Sequence, residues 1–387
     1  MRYTLTFDAF LAAACLGLSA PASVWGIPFP RGHEPPATHI DSTEASHHYA
    51  NVSRRAASSF TLPLTPIDDD FDLGYTALVK VGTNPIRYTV LMDCGSSEFW
   101  LVSDTSPQRG RRVPLGPSIS QTVQSSSDGW NVQYDDGSTV TGSIVIDDVI
   151  IDGRTLPELR FGTADTLTGT LATATFDGIM GFGFSQVSQT RAPTILDALA
   201  ITKKIPRAIS GWKLSRNADG RNDGEIMFGE ENAARFFKDK QVFVQNLPGG
   251  SKKEWRFSID GISMDGSQVI PARVGIVDTG TSALFVNPVD ALAINRVISG
   301  FATFDDGSYA IPCGAQPKLS ITINGFAFDV DPRDIVGDPV SNELCVSNIL
   351  PDSSMKPGEW LLGIPFLKNV YLTLDVTGDQ IGFAKLR

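Results

Sequence analysis

Two segments of this chain match each other: Val90-Leu-Met-Asp93-Cys-Gly-Ser-Ser97 and Gly275-Ile-Val-Asp278-Thr-Gly-Thr-Ser282. In each segment an apolar, strand-like run enters Asp-x-Gly and continues into hydroxyl residues. Each is followed by two apolar residues and a glycine, Ile179-Met180-Gly181 and Leu361-Leu362-Gly363. The separations are nearly equal, 88 residues (181 − 93) in the first half and 85 (363 − 278) in the second. One Asp-x-Gly triplet is common in turns, but two with this spacing predict a duplicated, two-lobed chain.

The repeated loops predict a pair of interacting carboxylates, Asp93 and Asp278. Glycine lets the backbone of such a loop approach closely, so related lobes can bring the two loops together across a pseudo-twofold axis. Two carboxylates in contact do not both ionise readily, so the pair holds one proton. The ionised member can take a proton from water while the protonated member polarises a scissile carbonyl. This chemistry needs no metal and no cofactor, and we expect neither. The alternative, two aspartates that only cap turns, leaves the paired spacing unexplained.

Composition favours an all-β fold. The 387 residues are 42% hydrophobic, which is enough for two domains with cores. Short apolar runs alternate with Gly, Asp and Pro, and no long run has helical periodicity. A net charge of −11 argues against a nucleic-acid partner, because phosphate binding needs basic stripes that the sequence lacks. No apolar segment of transmembrane length follows the N-terminus. We therefore expect no membrane anchor and a soluble monomer.

The four histidines all lie near the N-terminus, at His33, His39, His47 and His48. The sequence after Arg55 contains none. This excludes Ser-His-Asp hydrolysis, Cys-His hydrolysis and zinc hydrolysis with histidine ligands from that part of the chain. Its chemistry must depend on carboxylates, hydroxyls, lysine or tyrosine.

Residues 1–26 have the features of a secretory signal peptide. Arg2 provides the charge, an apolar stretch ends at Leu18, and small residues follow; an ordinary buried helix is the alternative. Residues 27–59 are hydrophilic and proline-rich, and we interpret them as the pro-segment of a zymogen. Arg54-Arg55 would be its processing site, or otherwise a solvated surface pair. We expect a secreted, extracellular protein, with the vacuole as the alternative destination.

The cysteines fit secretion. Of the four, Cys15 lies in the predicted signal peptide. Cys313 and Cys345 lie in a loop-rich region, 32 positions apart (345 − 313), and can pair. Cys94 would then be left over as a free, buried thiol.

At these residues the chain resembles the pepsin-like (A1) aspartic peptidases, and it is most similar in style to the secreted fungal members. The resemblance covers about residues 60 to 387. Several further motifs are similar to those of the family: Asp93-Cys-Gly-Ser-Ser-Glu-Phe-Trp100, Tyr134-Asp-Asp-Gly-Ser138, Asp177-Gly-Ile-Met-Gly181, Gly224-Glu-Ile-Met-Phe-Gly229, Trp255-Arg-Phe-Ser-Ile259 and Trp360-Leu-Leu-Gly-Ile-Pro-Phe366.

The resemblance implies a bilobal all-β fold, with an N-terminal lobe at 60–240, a C-terminal lobe at 241–387 and a central cleft for an extended peptide. It implies peptide-bond hydrolysis at acidic pH, with proteins or peptides as substrates and Asp93 and Asp278 as catalytic residues. Tyr134-Asp-Asp-Gly-Ser138 would be a hairpin flap that closes over the substrate; an ordinary surface hairpin is the alternative. The residues implied to bind substrate are Tyr134, Asp136, Gly95, Gly280 and Thr281. Cys313 and Cys345 sit where the family has a disulfide.

The chain departs from the family pattern at several positions. Cys94 replaces a hydroxyl residue that helps to hold the two loops together, so we expect a weaker contact there. Ile364 replaces an aspartate near the dyad, and relatives that lack this aspartate tend to work at higher pH. Asp135 stands where the family usually has glycine. The resemblance to fungal members with an aspartate in the flap implies that lysine is accepted before the scissile bond.

The sequence leaves two other functions open. A catalytically impaired, pepsin-like peptide-binding protein is the main alternative, because Cys94 alters the loop contact. An unrelated ligand-binding β-barrel is the third hypothesis, and it predicts one lobe instead of two.

Overall fold

The computed structural model describes residues 57–67, 72–249, 254–304 and 307–387. Within these ranges it contains 27 β-strands and four short α-helices. The predicted signal peptide and the predicted pro-segment up to residue 56, including Arg54-Arg55, lie outside the described residues.

The N-terminal half contains twelve strands. They are β1 (Phe60–Pro63), β2 (Thr65–Ile67), β3 (Gly74–Val81), β4 (Tyr88–Asp93), β5 (Phe99–Val102), β6 (Gln124–Gln133), β7 (Thr139–Ile151), β8 (Arg154–Leu167), β9 (Gly178–Gly181), β10 (Ile209–Lys213), β11 (Glu225–Phe228) and β12 (Phe236–Gln245). The strands from β2 to β9 form one eight-stranded sheet in the order β2-β3-β4-β9-β5-β8-β7-β6. An additional pairing of β3 with β7 makes this sheet fold back on itself.

The C-terminal half contains fifteen strands. They are β13 (Arg256–Ile259), β14 (Gly261–Met264), β15 (Ser267–Ile270), β16 (Arg273–Val277), β17 (Leu284–Val286), β18 (Ala302–Thr303), β19 (Tyr309–Pro312), β20 (Leu319–Ile323), β21 (Phe326–Asp329), β22 (Val336–Pro339), β23 (Leu344–Ser347), β24 (Ile349–Pro351), β25 (Glu359–Leu362), β26 (Val370–Asp375) and β27 (Gln380–Leu386). Most belong to a five-stranded sheet, β13-β16-β25-β17-β24, and two four-stranded sheets, β15-β14-β20-β21 and β18-β19-β23-β22.

A six-stranded sheet joins the two halves. Its order is β1-β11-β10-β26-β27-β12, so the last two strands of the chain lie between strands of the first half. The bilobal, all-β fold predicted from the sequence is confirmed. The lobe boundary at 240/241 stays a prediction, and β12 runs across it within the shared sheet.

The repeat is visible as the same strand arrangement in both halves. In the first half β4 pairs in parallel with β9, and β9 pairs antiparallel with β5. In the second half β16 pairs in parallel with β25, and β25 pairs antiparallel with β17. The central strands are almost entirely buried, which explains why they read as continuous apolar runs instead of alternating patterns. The apolar-apolar-Gly segments therefore lie directly beside the strands that lead to Asp93 and Asp278.

The helices are short and lie at the margins of the sheets. They are α1 (Ile195–Ile201), α2 (Pro288–Asn295), α3 (Pro332–Ile335) and α4 (Ile364–Leu367). Asn287 caps α2 by accepting hydrogen bonds from the N–H groups of Val289 and Asp290, both at 3.1 Å. Among the helices of the described residues, none has the length and apolar character needed to span a bilayer.

Aromatic side chains fill the region between the halves. The indole N–H of Trp255 donates to the carbonyl oxygen of Phe182 at 3.0 Å. The Trp255 ring also packs on Phe184, with ring centres 4.3 Å apart. Since Phe182 and Phe184 directly follow β9, these contacts fix the first half's central strand against the second half.

Candidate active site

Asp93 is the last residue of β4 and points into a tight loop. Its Oδ1 accepts a hydrogen bond from the N–H of Gly95 at 2.8 Å, and its Oδ2 accepts from the Ser96 hydroxyl at 2.5 Å. The strand beside it closes the loop from behind, because the N–H of Phe182 donates to the Asp93 carbonyl at 2.8 Å. The carboxylate is thus held in one orientation by its own loop.

Asp278 directly follows β16 and has the matching set of contacts. Its Oδ1 accepts from the N–H of Gly280 at 2.8 Å, and its Oδ2 accepts from the Thr281 hydroxyl. The N–H of Asp278 donates to the carbonyl of Leu362 on the neighbouring strand. The two carboxylates are therefore positioned by equivalent donors in the two repeats.

The loop glycines face the opposite carboxylate. A Cβ atom added to Gly95 would lie 2.4 Å from Asp278 Oδ1, and one added to Gly280 would lie 2.8 Å from Asp93 Oδ1. Any side chain at either position would collide with the other loop's aspartate. The structure thus brings together Asp93, Asp278, Gly95, Gly280 and Thr281, which lie in two separate halves of the sequence.

Burial controls the titration of this pair. Asp93 is 3% exposed and Asp278 is 1% exposed. Burial raises the pKa of Asp93, although hydrogen bonds from Asp278 and Ser96 partly offset the rise. Burial raises the pKa of Asp278 well above its ordinary value, and the negative charge of Asp93 raises it further. The two carboxyl groups therefore titrate as a unit, and burial together with their mutual repulsion favours the state with one proton on the pair.

A reciprocal contact links the two loops through Cys94 and Thr279. The Thr279 hydroxyl accepts from the N–H of Cys94 at 2.9 Å and donates to the Met92 carbonyl at 2.8 Å. In the opposite direction, the Cys94 thiol accepts from the N–H of Thr279 at 3.3 Å and donates to the Val277 carbonyl at 3.6 Å. Burial raises the pKa of the Cys94 thiol, so the sulfur remains protonated. All four contacts are made, but the two that involve sulfur are longer.

The segment predicted to be a flap is a β-hairpin. β6 and β7 pair up to Gln133 and Thr139, and the N–H of Tyr134 donates to the carbonyl of Ser138 across the turn. The Tyr134 hydroxyl accepts from the indole N–H of Trp100 at 3.0 Å. Burial raises the pKa of Tyr134 well above its ordinary value, and the charge of Asp93 adds to the rise. The Tyr134 phenol is therefore neutral, and Trp100 fixes its orientation.

Asp136 lies in the hairpin turn, but its carboxylate points back into the protein. Its Oδ1 accepts from the N–H of Ser138 at 2.8 Å. Its Oδ2 accepts from the hydroxyls of Ser138 and Thr170, at 2.7 and 2.6 Å. From the sequence alone, an aspartate in the flap is expected to be an exposed charge that faces the substrate. In the structure, three donors from the protein itself form hydrogen bonds to this carboxylate.

The remaining selected residues lie away from the carboxylate pair or behind it. A disulfide joins Cys313, directly after β19, to Cys345 in the paired strand β23, as the resemblance implied. Ile364 is buried at the start of α4, and its N–H donates to the carbonyl of Thr281 at 2.8 Å. Position 364 is thus in direct contact with the Asp278 loop.

Four residues that shape the site were not predicted from the sequence. Ser96 and Thr279 could have been found, because each occupies the repeat position of a residue that was selected, Thr281 and Cys94. Glu98 is fully buried and accepts hydrogen bonds from the loop after β9, including the N–H of Gln189 at 2.5 Å. Neither Glu98 nor Thr170 had a local signal, because their partners lie far along the chain.

The family model for eukaryotic aspartyl proteases matches residues 74–386. The chain belongs to this family. The carboxylate pair, the hairpin above it and the duplicated strands all lie within the matched residues.

Named relatives agree with this assignment. A probable aspartic-type endopeptidase CTSD of Arthroderma benhamiae is 32% identical over 340 residues, which are 86% of this chain and 65% of the relative. The aspartic-type endopeptidase ctsD of Aspergillus fumigatus is 29% identical over 320 residues, 82% of this chain and 66% of the relative. Pepsin A of Rhinolophus ferrumequinum is 30% identical over 336 residues, 82% of this chain and 83% of the relative. The chain thus spans just under two thirds of the length of these fungal relatives.

Proposed function

We propose that this chain is an aspartic endopeptidase that hydrolyses peptide bonds at acidic pH, with Asp93 and Asp278 as its catalytic pair. The observation that carries the proposal is the contact of each loop glycine with the opposite carboxylate. This close approach would allow the two buried carboxyl groups to share one proton. Family membership and the names of the relatives support the same reaction class.

In the proposed reaction the ionised Asp93 accepts a proton from a water molecule as the water oxygen bonds to the peptide carbonyl carbon. The protonated Asp278 donates its proton to the carbonyl oxygen, so that a tetrahedral diol forms. Asp93 then passes its proton to the leaving nitrogen, the C–N bond breaks, and one diol hydroxyl returns its proton to Asp278. The pair ends in the state in which it began, and no covalent intermediate forms.

The substrate would be an extended segment of a protein or peptide. Gly95, Gly280 and Thr281 border the carboxylate pair and would line the cleft beside the scissile bond. Tyr134 on the hairpin would cover the substrate and exclude water from the reacting atoms. The peptide-binding, catalytically impaired alternative is not favoured, because the contacts of Cys94 with the opposite loop are retained.

Secretion remains a proposal that residues 1–26 and the disulfide support, because disulfides persist in oxidising compartments. The extracellular space is the proposed destination, with the vacuole as the alternative. Removal of residues 27–59 would release a monomeric active chain. N-terminal sequencing of the secreted product is the direct test of the cleavage position.

The catalytic proposal is tested by digesting a denatured protein from pH 2 to 7, with and without pepstatin. We expect Asp93→Asn and Asp278→Asn each to lower turnover by about three orders of magnitude or more, because an amide cannot exchange the proton. Asp239→Asn makes the same change at an exposed strand position and should keep full activity. Circular dichroism verifies folding. More than about a tenth of wild-type activity in either dyad variant would contradict the assignment.

A further inference from the structure

The hairpin turn is bound to a second segment of the N-terminal half, the 3-10 turn Gly169–Ala172. Thr170 contributes two donors: its hydroxyl to Asp136 Oδ2 at 2.6 Å, and its N–H to the Ser138 hydroxyl oxygen at 3.0 Å. Next to these bonds, Thr168 and Thr139 make three more, one between their hydroxyls at 2.8 Å and two from their N–H groups at 2.8 and 3.0 Å. Together these contacts join the hairpin turn to the 3-10 segment and to Thr168 before it, and the Asp136 carboxylate accepts one of them.

The 3-10 segment is itself fixed to the body of the lobe. Gly169 adopts a φ of +60°, and a Cβ atom there would lie 2.3 Å from the Ser138 hydroxyl, so only glycine permits the approach. The guanidinium of Arg112, which is buried, donates to the carbonyls of Leu171 at 3.0 Å and Ala172 at 3.2 Å. Leu171 is fully buried. The partner of the hairpin turn is therefore an anchored segment instead of a second mobile loop.

We propose that Thr170 and Asp136 are positioning residues that latch the hairpin turn in the conformation in which Tyr134 meets Trp100. The latch acts before substrate binds. It reduces the conformational freedom that the hairpin loses on closing over a peptide, and so it lowers KM more than it changes kcat. Asp136 contributes to the site by fixing the conformation of the hairpin turn, because its two carboxylate oxygens already accept three hydrogen bonds from within the protein. This inference rests on the proposed peptidase activity for its kinetic part only.

A matched set of threonine variants tests the latch. Thr170→Val removes the hydroxyl donor to Asp136 and keeps the branched shape, whereas Thr170→Ser keeps the donor. Thr173→Val is the control, because Thr173 is exposed, directly follows the 3-10 segment and donates to the Thr170 carbonyl instead of to the hairpin. We expect Thr170→Val to speed hydrogen–deuterium exchange in peptides covering the hairpin turn by about tenfold, the factor for one lost hydrogen bond to a carboxylate. Thr170→Ser should restore protection, and Thr173→Val should leave it unchanged.

The kinetic readout uses one peptide substrate with either phenylalanine or lysine before the scissile bond. For Thr170→Val we expect KM to rise about tenfold on both peptides, with a smaller change in kcat. Wild-type exchange rates in Thr170→Val, or a rise in KM for the lysine peptide alone, would overturn the latch and restore Asp136 as a charge that selects substrate. If the wild-type chain cleaves neither peptide, the proposed function fails, while the exchange measurements still decide whether the latch exists.

Discussion

Replacing Lys368 with methionine would test how strongly a buried charge cluster holds the two halves together. Lys368 Nζ lies 3.1 Å from Asp72 Oδ2 and 2.9 Å from Asp334 Oδ1. The three side chains are only 7%, 2% and 1% exposed. Asp72 precedes β3 in the N-terminal half, whereas Lys368 and Asp334 belong to the C-terminal half. The ammonium group therefore neutralises carboxylates from both sides of the interface.

The expected loss of stability follows from the hydrogen-bond and ion-pair partners that each carboxylate keeps when Lys368 is replaced. Asp334 retains the guanidinium of Arg216, with Nη2 and Nε at 2.5 and 3.1 Å. Asp72 retains the N–H of Asn217 at 3.1 Å, which is a weaker compensation for a buried charge. Removing one partner of a buried ion pair costs about 3–5 kcal/mol. Because Asp72 keeps one hydrogen bond, we expect Lys368→Met to lower the free energy of unfolding by about 3 kcal/mol.

The assay is denaturant unfolding followed by tryptophan fluorescence at pH 6. Lys385→Met is the control, because the Lys385–Asp329 pair is 3.8 Å apart and exposed, so its loss should cost under about 1 kcal/mol. Adding Asp72→Asn to Lys368→Met removes the uncompensated charge and should recover at least about half of the lost stability. Equal losses in the two lysine variants, or no recovery in the double variant, would refute the reasoning.

Three further predictions concern residues around the dyad. We expect Cys94→Thr to raise the free energy of unfolding by about 0.5–1.5 kcal/mol, because a hydroxyl would replace the two long sulfur contacts with bonds like those of Thr279; a loss of stability in denaturant unfolding would contradict this. We expect Ile364→Asp to move the acidic limb of the kcat/KM profile downward by about 0.3 pH unit or more, because a protonated carboxyl beside Thr281 would donate hydrogen bonds that stabilise the ionised pair. That carboxyl would adjoin a cavity of about 190 Å³ that Ser282 also lines, and an upward shift would show that another residue controls the profile. Burial raises the pKa of Glu98, so its contribution to stability is present below the ordinary value of 4.5 and is lost as the pH rises through the higher folded-state value. Glu98→Gln should therefore lose less stability than the wild type between pH 4.5 and 7, and parallel pH–stability curves would rule this out.

The sequence was sufficient for the features that depend on short motifs. The two Asp-x-Gly loops and the apolar-apolar-Gly segments predicted the duplication, because each motif is local and the second follows the first at nearly the same offset in both halves. The same repeat could also have identified Ser96 and Thr279. The glycine requirement at Gly95 and Gly280 follows from loop geometry, although only the structure shows that the opposite carboxylate occupies the space.

The features that depend on distant pairing could not be read from the sequence. The shared sheet pairs Phe60 with Phe228 and Gln245 with Gln380. No local sequence signal in these strands indicates which strand each of them pairs with. Asp136 shows the same limit at the site. A charged residue in a turn is usually solvated, and its inward orientation depends on Thr170, which lies across the hairpin on another segment.

The thiol between the loops has a practical consequence. Among the residues that the structure describes, Cys94 is the one free cysteine, and it is buried where the two halves meet. A protonated, enclosed sulfur reacts slowly with alkylating reagents, so its labelling requires the halves to separate. The ratio of its labelling rate to that of a cysteine in a short peptide therefore measures how often the cleft region opens down to its base. The labelling rate of Cys94, a residue that departs from the family pattern, thus reports how often the two lobes separate.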